Sequence, residues 1–252
     1  MAKDKISAGK ALDLLISKNI EIVAIVGPDK PSSTYGNFSL KKKAKQLKIR
    51  FVTDSKIYDA LKLNKNLRFL KNVDLVISFL YWKKIRPELI NFPKLGCINF
   101  HPAPLPDFRG VAGYSIAILE NLDYWGVSAH FIDEEIDTGD IIKVKKFKIN
   151  SKKETSFSLE QKTQVKLLEL FQNVINQILI RKKLPRKKQN KKKGKYISKK
   201  YFENQRIIKN NDTSKTIERK IRAFWYPPFP GASIIIKNEE YTVINNIILK
   251  DL

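Results

Sequence analysis

The chain has 252 residues, 42% of them hydrophobic and 10% aromatic, so it is long enough to bury a core and too apolar to be disordered. Its single cysteine, Cys97, excludes a disulfide framework and a cysteine-rich zinc site, and favours a reducing, cytoplasmic setting. The first residues lack the apolar stretch of a signal peptide, and the apolar runs are too short to span a bilayer. We therefore expect no membrane anchor.

The formal net charge of +24 is the largest departure from average composition. A field of this size attracts polyanions, including nucleic acid, nucleotide-linked substrates and polyglutamylated cofactors. The lysines are spread along the chain, whereas nucleic-acid-binding proteins more often concentrate them on one face. This spread favours a lysine-rich surface over a dedicated nucleic-acid-binding face.

In chain order, helix-like and strand-like segments alternate over the first two thirds, which predicts an α/β fold with a mostly parallel sheet. The predicted helices are residues 11–16, 41–47, 55–63, 86–90 and 113–120, and the predicted strands are residues 20–26, 49–52, 74–79, 96–100 and 127–132. Residues 159–180 then carry apolar positions at helical spacing. The basic stretch 181–200 is interpreted as a solvated loop, followed by a helix at 214–223 and a hairpin formed by 232–237 and 241–248.

A polar pair lies at the end of the predicted strand near residue 100. Asn99 and His101 are two residues apart and therefore share one face of the strand, and three prolines then lead the chain out of the sheet. Ligands bind at the carboxyl ends of strands in open α/β sheets, so this pair is a candidate site. The alternative is that His101 has a structural role.

An acidic turn, residues 133–140, follows the next strand and can bring Asp137 beside His101. A carboxylate raises the pKa of an adjacent imidazole and fixes its tautomer, while Asn99 offers an amide N–H to an oxyanion. Ser and Cys are missing from any clear nucleophile setting nearby, which favours direct acyl transfer. Alternatively, the turn is a solvated loop or a hard-cation site; we predict no bound metal.

The run Asn99-Phe-His101-Pro-Ala-Pro-Leu-Pro-Asp-Phe-Arg109-Gly110, followed by Asp137-Thr-Gly-Asp140, resembles the folate-dependent formyltransferase family. The resemblance covers about residues 8–232 and implies a Rossmann-like formyltransferase fold with 10-formyltetrahydrofolate as the formyl donor. It implies catalytic roles for Asn99, His101 and Asp137. The residues it implies for donor binding are Phe79, Leu80, Tyr81, Asp133, Glu135 and Thr138.

The resemblance also implies a mechanism and a domain organisation. Asn99 and a protonated His101 would stabilise the oxyanion formed when an amine attacks the formyl carbon, with Asp137 keeping His101 charged. His130 is expected to be structural. Members of this family open with a strand before the first helix, so the sheet is expected to lack its first strand. The expected organisation is a catalytic domain at 1–180, a basic loop at 181–200 and a small C-terminal extension with a β-hairpin at 201–252.

Two parts of the resemblance favour a nucleotide-linked amino sugar as the acceptor. The first is the Asn-Phe-His-Pro-Ala-Pro-Leu-Pro string, together with residues 129–137. The second is the short extension after residue 231, where methionyl-tRNA enzymes continue into a second β domain. The alternative acceptor is methionyl-tRNA, in which case residues 181–200 would contact its phosphates. An alternative of another class is a non-catalytic, basic nucleic-acid-binding or truncated relative. The C-terminal hairpin is a candidate homodimer interface.

Overall fold

A computed structural model describes residues 1–28, 38–63, 70, 72–180 and 183–249. The strands are β1 Ile25–Gly27, β2 Phe51–Thr53, β3 Val76–Phe79, β4 Cys97–His101, β5 Phe108–Gly110, β6 Tyr124–Phe131, β7 Ile141–Lys148, β8 Lys195–Ile197, β9 Ser233–Ile236 and β10 Glu239–Thr242. The helices are α1 Ile6–Ser17, α2 Leu40–Gln46, α3 Asp54–Leu63, α4 Pro87–Ile90, α5 Gly113–Leu119, α6 Ser156–Leu179, α7 Lys199–Gln205, α8 Ser214–Phe224 and α9 Asn246–Leu249. The predicted α/β class is confirmed.

The sheet combines parallel and antiparallel pairs. β1 pairs in parallel with β2, and β3 pairs in parallel with β4, as the alternating helices and strands predicted. β6 and β7 continue the sheet in the order β3-β4-β6-β7, but both of these pairings are antiparallel. A nine-residue turn, 132–140, joins β6 to β7 in place of a helical crossover, and only such a crossover would make the pair parallel.

Met1 and Ala2 lie between β1 and β3. The Ala2 N–H donates to the carbonyl of Val26 over 3.0 Å, and the Phe79 N–H donates to the carbonyl of Met1 over 2.9 Å. Ala2 thereby forms a single parallel bridge with Phe79 in place of a longer strand. These hydrogen bonds connect the β1–β2 pair to the four-stranded sheet at the position where a first strand was expected to be lacking.

Helices cover both faces of the sheet and fix the orientation of β4. The helices α1, α2 and α6 contribute to one apolar cluster, in which the rings of Phe171 and Phe100 lie 4.8 Å apart between centroids. Ile57 of α3 and Leu89 of α4 belong to a second cluster. Because side chains alternate along a strand, burying Phe100 against α6 turns Asn99 and His101 to the opposite face.

The C-terminal segment packs into the body of the protein. Ile221 and Phe224 of α8 share an apolar cluster with Trp125 of β6. β9 and β10 form the predicted hairpin, and the positive φ angles of Lys237 and Asn238, 49° and 66°, give it the two-residue turn typical of hairpins. The predicted second arm, 241–248, differs from the structure, because β10 ends at residue 242 and α9 follows. Within the described ranges, none of the helices has the length and apolarity to cross a bilayer.

Candidate active site

A row of polar side chains crosses three strands of the sheet. Ser78 of β3, Asn99 of β4 and His130 of β6 are direct neighbours in the strand register. The Ser78 hydroxyl donates to Asn99 Oδ1 over 2.8 Å, and Asn99 Nδ2 lies 3.1 Å from His130 Nε2. His130 Nδ1 lies 2.7 Å from the Phe131 carbonyl, so Nδ1 carries the hydrogen and Nε2 accepts from Asn99.

The turn after β6 brings Asp137 into this row. Its Oδ1 atom lies 3.4 Å from Asn99 Nδ2, 3.6 Å from His101 Nδ1 and 3.6 Å from His130 Nε2. Its Oδ2 atom accepts a 3.0 Å hydrogen bond from the Gly110 N–H. The structure thus brings together the three residues predicted to be catalytic. The Oδ1 distances exceed those of close hydrogen bonds, as is common before a substrate tightens a site.

The charges of His101 and Asp137 follow from their burial. Burial lowers the pKa of His101 and outweighs the Asp137 charge, which raises it. Burial raises the pKa of the Asp137 carboxyl, but the two imidazoles and the Gly110 N–H together lower it by more, so Asp137 is ionised. Desolvation thus favours the neutral imidazole, whereas the Asp137 charge favours the cation. The protonated His101 implied by the family resemblance stays a prediction.

The tautomer of His101 follows from its other nitrogen. Nε2 lies 3.1 Å from the Phe108 carbonyl and donates to it. When the ring is neutral, it therefore presents the basic Nδ1 atom toward Asp137. An imidazole in this state can take a proton, and the carboxylate beside it then stabilises the cation that forms. A cavity of about 60 Å³ adjoins His101 and is also lined by Phe108, Tyr114 and Ile197.

Two segments were expected to bind the donor, and the first lies at the carboxyl end of β3. Phe79 is 3% exposed and its ring contacts Phe171, so this ring belongs to the core and is not available to a ligand. Leu80, with a φ of 55°, and Tyr81 lead the chain away from β3. Tyr81 packs in the same apolar cluster as Ile132, which places the two expected segments at the same end of the sheet.

The second segment is the acidic turn, and its side chains mostly bind one another. The Thr138 hydroxyl donates to Asp133 Oδ1 over 2.6 Å, and the Glu135 N–H donates to the same oxygen over 3.2 Å. The Glu135 carboxylate lies 3.0 Å from Lys191 Nζ. These contacts shape the turn and leave its backbone as the surface available to a ligand. Within the described ranges, no cluster of three His, Cys, Asp or Glu side chains could hold a metal ion.

Part of the basic stretch lies against this turn. Residues 186–197 are called the strap below. Near its start, the backbone of Lys187 exchanges hydrogen bonds of 2.8 Å and 3.0 Å with the backbone of Ile141. The strap ends in β8, which pairs in parallel with β5. The strap is largely solvent-exposed, as the prediction of a solvated loop implies, with only Gln189 and Ile197 less exposed. Its backbone pairings were not predicted, because side-chain charge does not reveal where backbone hydrogen bonds go. Residues 181–182 of the predicted loop lie outside the described residues.

The prediction from the sequence missed two neighbours of Asn99 and one of Asp137. Ser78 is polar within an apolar run, a signal that was present in the sequence. His130 was assigned no catalytic partner, yet it contacts Asn99 and lies near Asp137. Gln189 of the strap donates to the carbonyl of Asp137, and the sequence carried no signal for this contact because it depends on the path of the strap.

The comparisons with known proteins agree with this geometry. The family model described as formyl transferase matches residues 10–175, about two thirds of the chain. The chain belongs to this family. The family resemblance inferred from Asn99, His101 and Asp137 is thereby confirmed, and with it the assignment of this chain to a formyltransferase fold.

Curated relatives of this formyltransferase are methionyl-tRNA formyltransferases. The protein from Wolbachia sp. subsp. Drosophila simulans is 31% identical over 242 residues, which cover 94% of this chain and 77% of the relative. The protein from Prochlorococcus marinus strain MIT 9215 is 34% identical over 145 residues, covering 56% of this chain and 44% of the relative. The match thus spans less than half of the latter's length.

Solved structures similar to this chain include proteins described as N-formyltransferases. A 4-N formyltransferase from Francisella tularensis has 26% identity and a TM-score of 0.78, covering 96% of this chain and 94% of that one. An N-formyltransferase from Helicobacter canadensis, in complex with folinic acid and dTDP-3-aminofucose, has 23% identity and a TM-score of 0.74, covering 94% and 83%. The latter supports the fold alone.

Proposed function

We propose that this formyltransferase moves the formyl group of 10-formyltetrahydrofolate to the primary amine of a nucleotide-linked amino sugar. The observation that carries the proposal is the convergence of an amide donor, an imidazole and a carboxylate. Asn99 Nδ2 and His101 Nδ1 lie 3.4 Å and 3.6 Å from the same oxygen of Asp137. Acyl transfer to an amine needs an oxyanion donor and a base, and these residues supply both.

The reaction follows from the atoms at the site. Asn99 Nδ2 donates to the oxygen that becomes negative as the acceptor amine bonds to the formyl carbon. His101 Nδ1 takes a proton from the attacking nitrogen, and Asp137 stabilises the resulting imidazolium. His101 then returns this proton to the leaving nitrogen of the folate as its bond to the formyl carbon breaks. The products are a formamide and tetrahydrofolate, and no covalent bond to the enzyme forms.

The residues around the site fit a reduced folate. This donor supplies an activated formyl group on nitrogen, and its flat pterin needs backbone hydrogen bonds and apolar contact. Leu80 and Tyr81 offer both at the end of β3. The turn 133–138 offers backbone groups, since the Asp133 and Thr138 side chains are already bonded to each other. Two similar solved structures are described, one in complex with folinic acid and one in the presence of 5-N-formyl-tetrahydrofolate, which supports the assignment.

The choice of acceptor rests on the extent of the structural match. The Francisella 4-N formyltransferase matches this chain over nearly the whole of both proteins, and the Helicobacter structure contains a nucleotide-linked amino sugar. The second candidate acceptor is methionyl-tRNA, which the curated relatives favour. The net charge of +24 suits the phosphates of either substrate.

The test is a turnover assay with 10-formyltetrahydrofolate that follows release of tetrahydrofolate. Nucleotide-linked amino sugars and initiator methionyl-tRNA serve as parallel acceptors. We expect turnover with a sugar and its loss in His101→Ala, whose folding is checked by its melting curve. Turnover with the tRNA alone would reassign the acceptor. Failure of every acceptor with a cooperatively melting protein would overturn the proposed reaction and favour the non-catalytic alternative.

A further inference from the structure

The strap contacts both loops that build the active site. At one end, the backbone of Lys187 is paired with Ile141, directly after the acidic turn. At the other end, the Lys195 N–H donates to the Asp107 carbonyl over 2.8 Å, and β8 lies beside β5. Arg109 adds a 3.1 Å hydrogen bond to the Lys191 carbonyl. The strap therefore joins the loop that carries Asp137 to the loop that follows His101.

One side chain of the strap reaches the backbone of Asp137 itself. Gln189 Nε2 donates to the Asp137 carbonyl over 3.0 Å and to the Gly139 carbonyl over 2.7 Å. Both hydrogens of a single amide nitrogen are thus used to draw two carbonyls of the turn together. A carboxamide is well suited to this task, since a carboxylate has no hydrogen to donate and an alkyl group has none either.

The turn needs such support because its backbone is unusual. Asp137 has a φ of 57°, in the left-handed region that non-glycine residues rarely adopt. Gly139 leaves no room for a side chain, since a Cβ atom there would lie 2.0 Å from the Phe131 carbonyl oxygen. The direction of the Asp137 carboxylate depends on this backbone. Anything that fixes the Asp137 carbonyl therefore fixes where the carboxylate stands relative to Asn99 and His101.

We propose that Gln189 is a positioning residue for the formyl transfer proposed above: its amide holds the Asp137 turn so that the carboxylate stays beside His101 and Asn99. Gln189 itself need not touch the donor or the acceptor. The other pairings of the strap, at Lys187 and along β8, are made by backbone atoms and do not use this side chain. The role of the side chain is therefore separable from that of the strap.

The kinetic test compares Gln189→Met, which keeps the length of the side chain without its donors, with Asn190→Ala. Asn190 is exposed, and its side chain accepts a hydrogen bond from the nearby Lys192 N–H. We expect kcat to fall between about 10-fold and 100-fold in Gln189→Met, as for a displaced catalytic group. Both KM values and the melting temperature should change little, and Asn190→Ala should match the unchanged enzyme. Gln189→Glu, also without donors, replaces Gln189→Met if the latter fails to fold.

A second readout does not depend on turnover. The chain has two histidines, so the imidazole NMR signals can be assigned with one His101→Gln variant. The charge of Asp137 raises the pKa of His101, and a carboxylate released from its position should raise it less. We expect the His101 titration to move to lower pH in Gln189→Met and to stay in place in Asn190→Ala.

The two readouts separate this proposal from the proposed function. A shifted His101 titration in a protein without turnover supports the positioning role while the proposed reaction fails. An unchanged His101 titration overturns the positioning role, whatever happens to kcat. A loss of kcat that accompanies a large drop in melting temperature in both Gln189→Met and Gln189→Glu also overturns it, because it assigns Gln189 to stability alone.

Discussion

Each end of the Asn99 amide has a different partner, and this fixes which way the amide faces. Oδ1 accepts from the Ser78 hydroxyl, whereas Nδ2 donates to His130 Nε2. A flipped amide would place its oxygen against the acceptor nitrogen of His130, a repulsive contact. The second hydrogen of Nδ2 is therefore directed toward Asp137 Oδ1, 3.4 Å away, and this longer contact is the one that a developing oxyanion can replace.

The first prediction concerns this hydrogen-bond donor. Asn99→Ala removes it, and we expect kcat to fall by about 100-fold to 1000-fold, the usual cost of losing one oxyanion donor. Ser78→Ala is the matched control, since it removes the partner of Oδ1 and keeps the donor; its kcat should fall by less than about 10-fold. Steady-state kinetics with the accepted sugar measure both. Equal losses in the two variants would show that Asn99 acts through packing.

The second prediction concerns the pH dependence of activity. If His101 acts as a base from its neutral state, kcat/KM should fall in acid as His101 becomes protonated. Because burial lowers the pKa of His101, the midpoint of this fall should lie at a pH below the ordinary imidazole pKa of about 6.5. A pH–rate profile measures it. Activity that instead rises as the pH drops through that range would indicate that His101 acts in its protonated form, as the family resemblance implies.

The same pKa direction has a consequence for stability. The folded pKa of His101 lies below the unfolded value of about 6.5, so below that pH the unfolded chain binds the proton first. The free energy of unfolding should therefore decrease as the pH falls from about 6.5 toward the folded pKa. Urea unfolding curves measure this slope, and the slope should be smaller in His101→Asn. A slope unchanged by the substitution would place the titrating group elsewhere.

At the scale of elements, the strap depends on one close approach to the proline-rich loop. Gly194 has a φ of 79°, and a Cβ atom there would lie 1.8 Å from the Pro106 carbonyl oxygen. Gly96 has a similar φ of 86°, but its nearest neighbour would lie 3.8 Å away. The two glycines therefore share the cost of a left-handed backbone and differ in the space around them.

The third prediction uses this pair. Gly96→Ala should lower the free energy of unfolding by about 1 kcal/mol, the cost of a left-handed alanine. Gly194→Ala should lower it by about 3 kcal/mol, because the strap must also move off the loop. Urea denaturation of both variants measures the difference. If the two costs are equal, the strap does not approach the loop as closely as the structure indicates.

The sequence predicts some of these elements and not others, for physical reasons. Alternation along β4 was enough to place Asn99 and His101 on one face, because strand periodicity is local. The burial that lowers the pKa of His101 could not be read from the sequence, because it depends on the packing of the folded chain. The path of the strap was missed because its lysines suggested solvent, while its backbone and Gln189 make the decisive contacts. Local sequence patterns were sufficient to predict the catalytic motif, but not the contacts that the surrounding segments make with it.

At the scale of the whole molecule, the contacts of the active site do not explain the high positive charge of the chain. Several strap cations have acidic partners near the site: Lys191 lies 3.0 Å from Glu135, and Arg186 lies 3.7 Å from Asp140. The net charge of +24 already counts these carboxylates, so the pairing does not reduce it. The remaining field acts at long range and does not distinguish one polyanion from another, so binding to RNA is not by itself evidence for an RNA substrate.

The fourth prediction separates this field from substrate recognition. Initiator methionyl-tRNA and an unrelated tRNA should bind with equal affinity at about 50 mM salt, and both should weaken by at least about 100-fold at about 200 mM. The KM for an amino sugar nucleotide, which carries few charges, should change by less than about 10-fold over the same range. Fluorescence anisotropy measures the first and steady-state kinetics the second. A preference for initiator tRNA that persists at the higher salt would require contacts beyond phosphate, and would move the acceptor assignment to methionyl-tRNA.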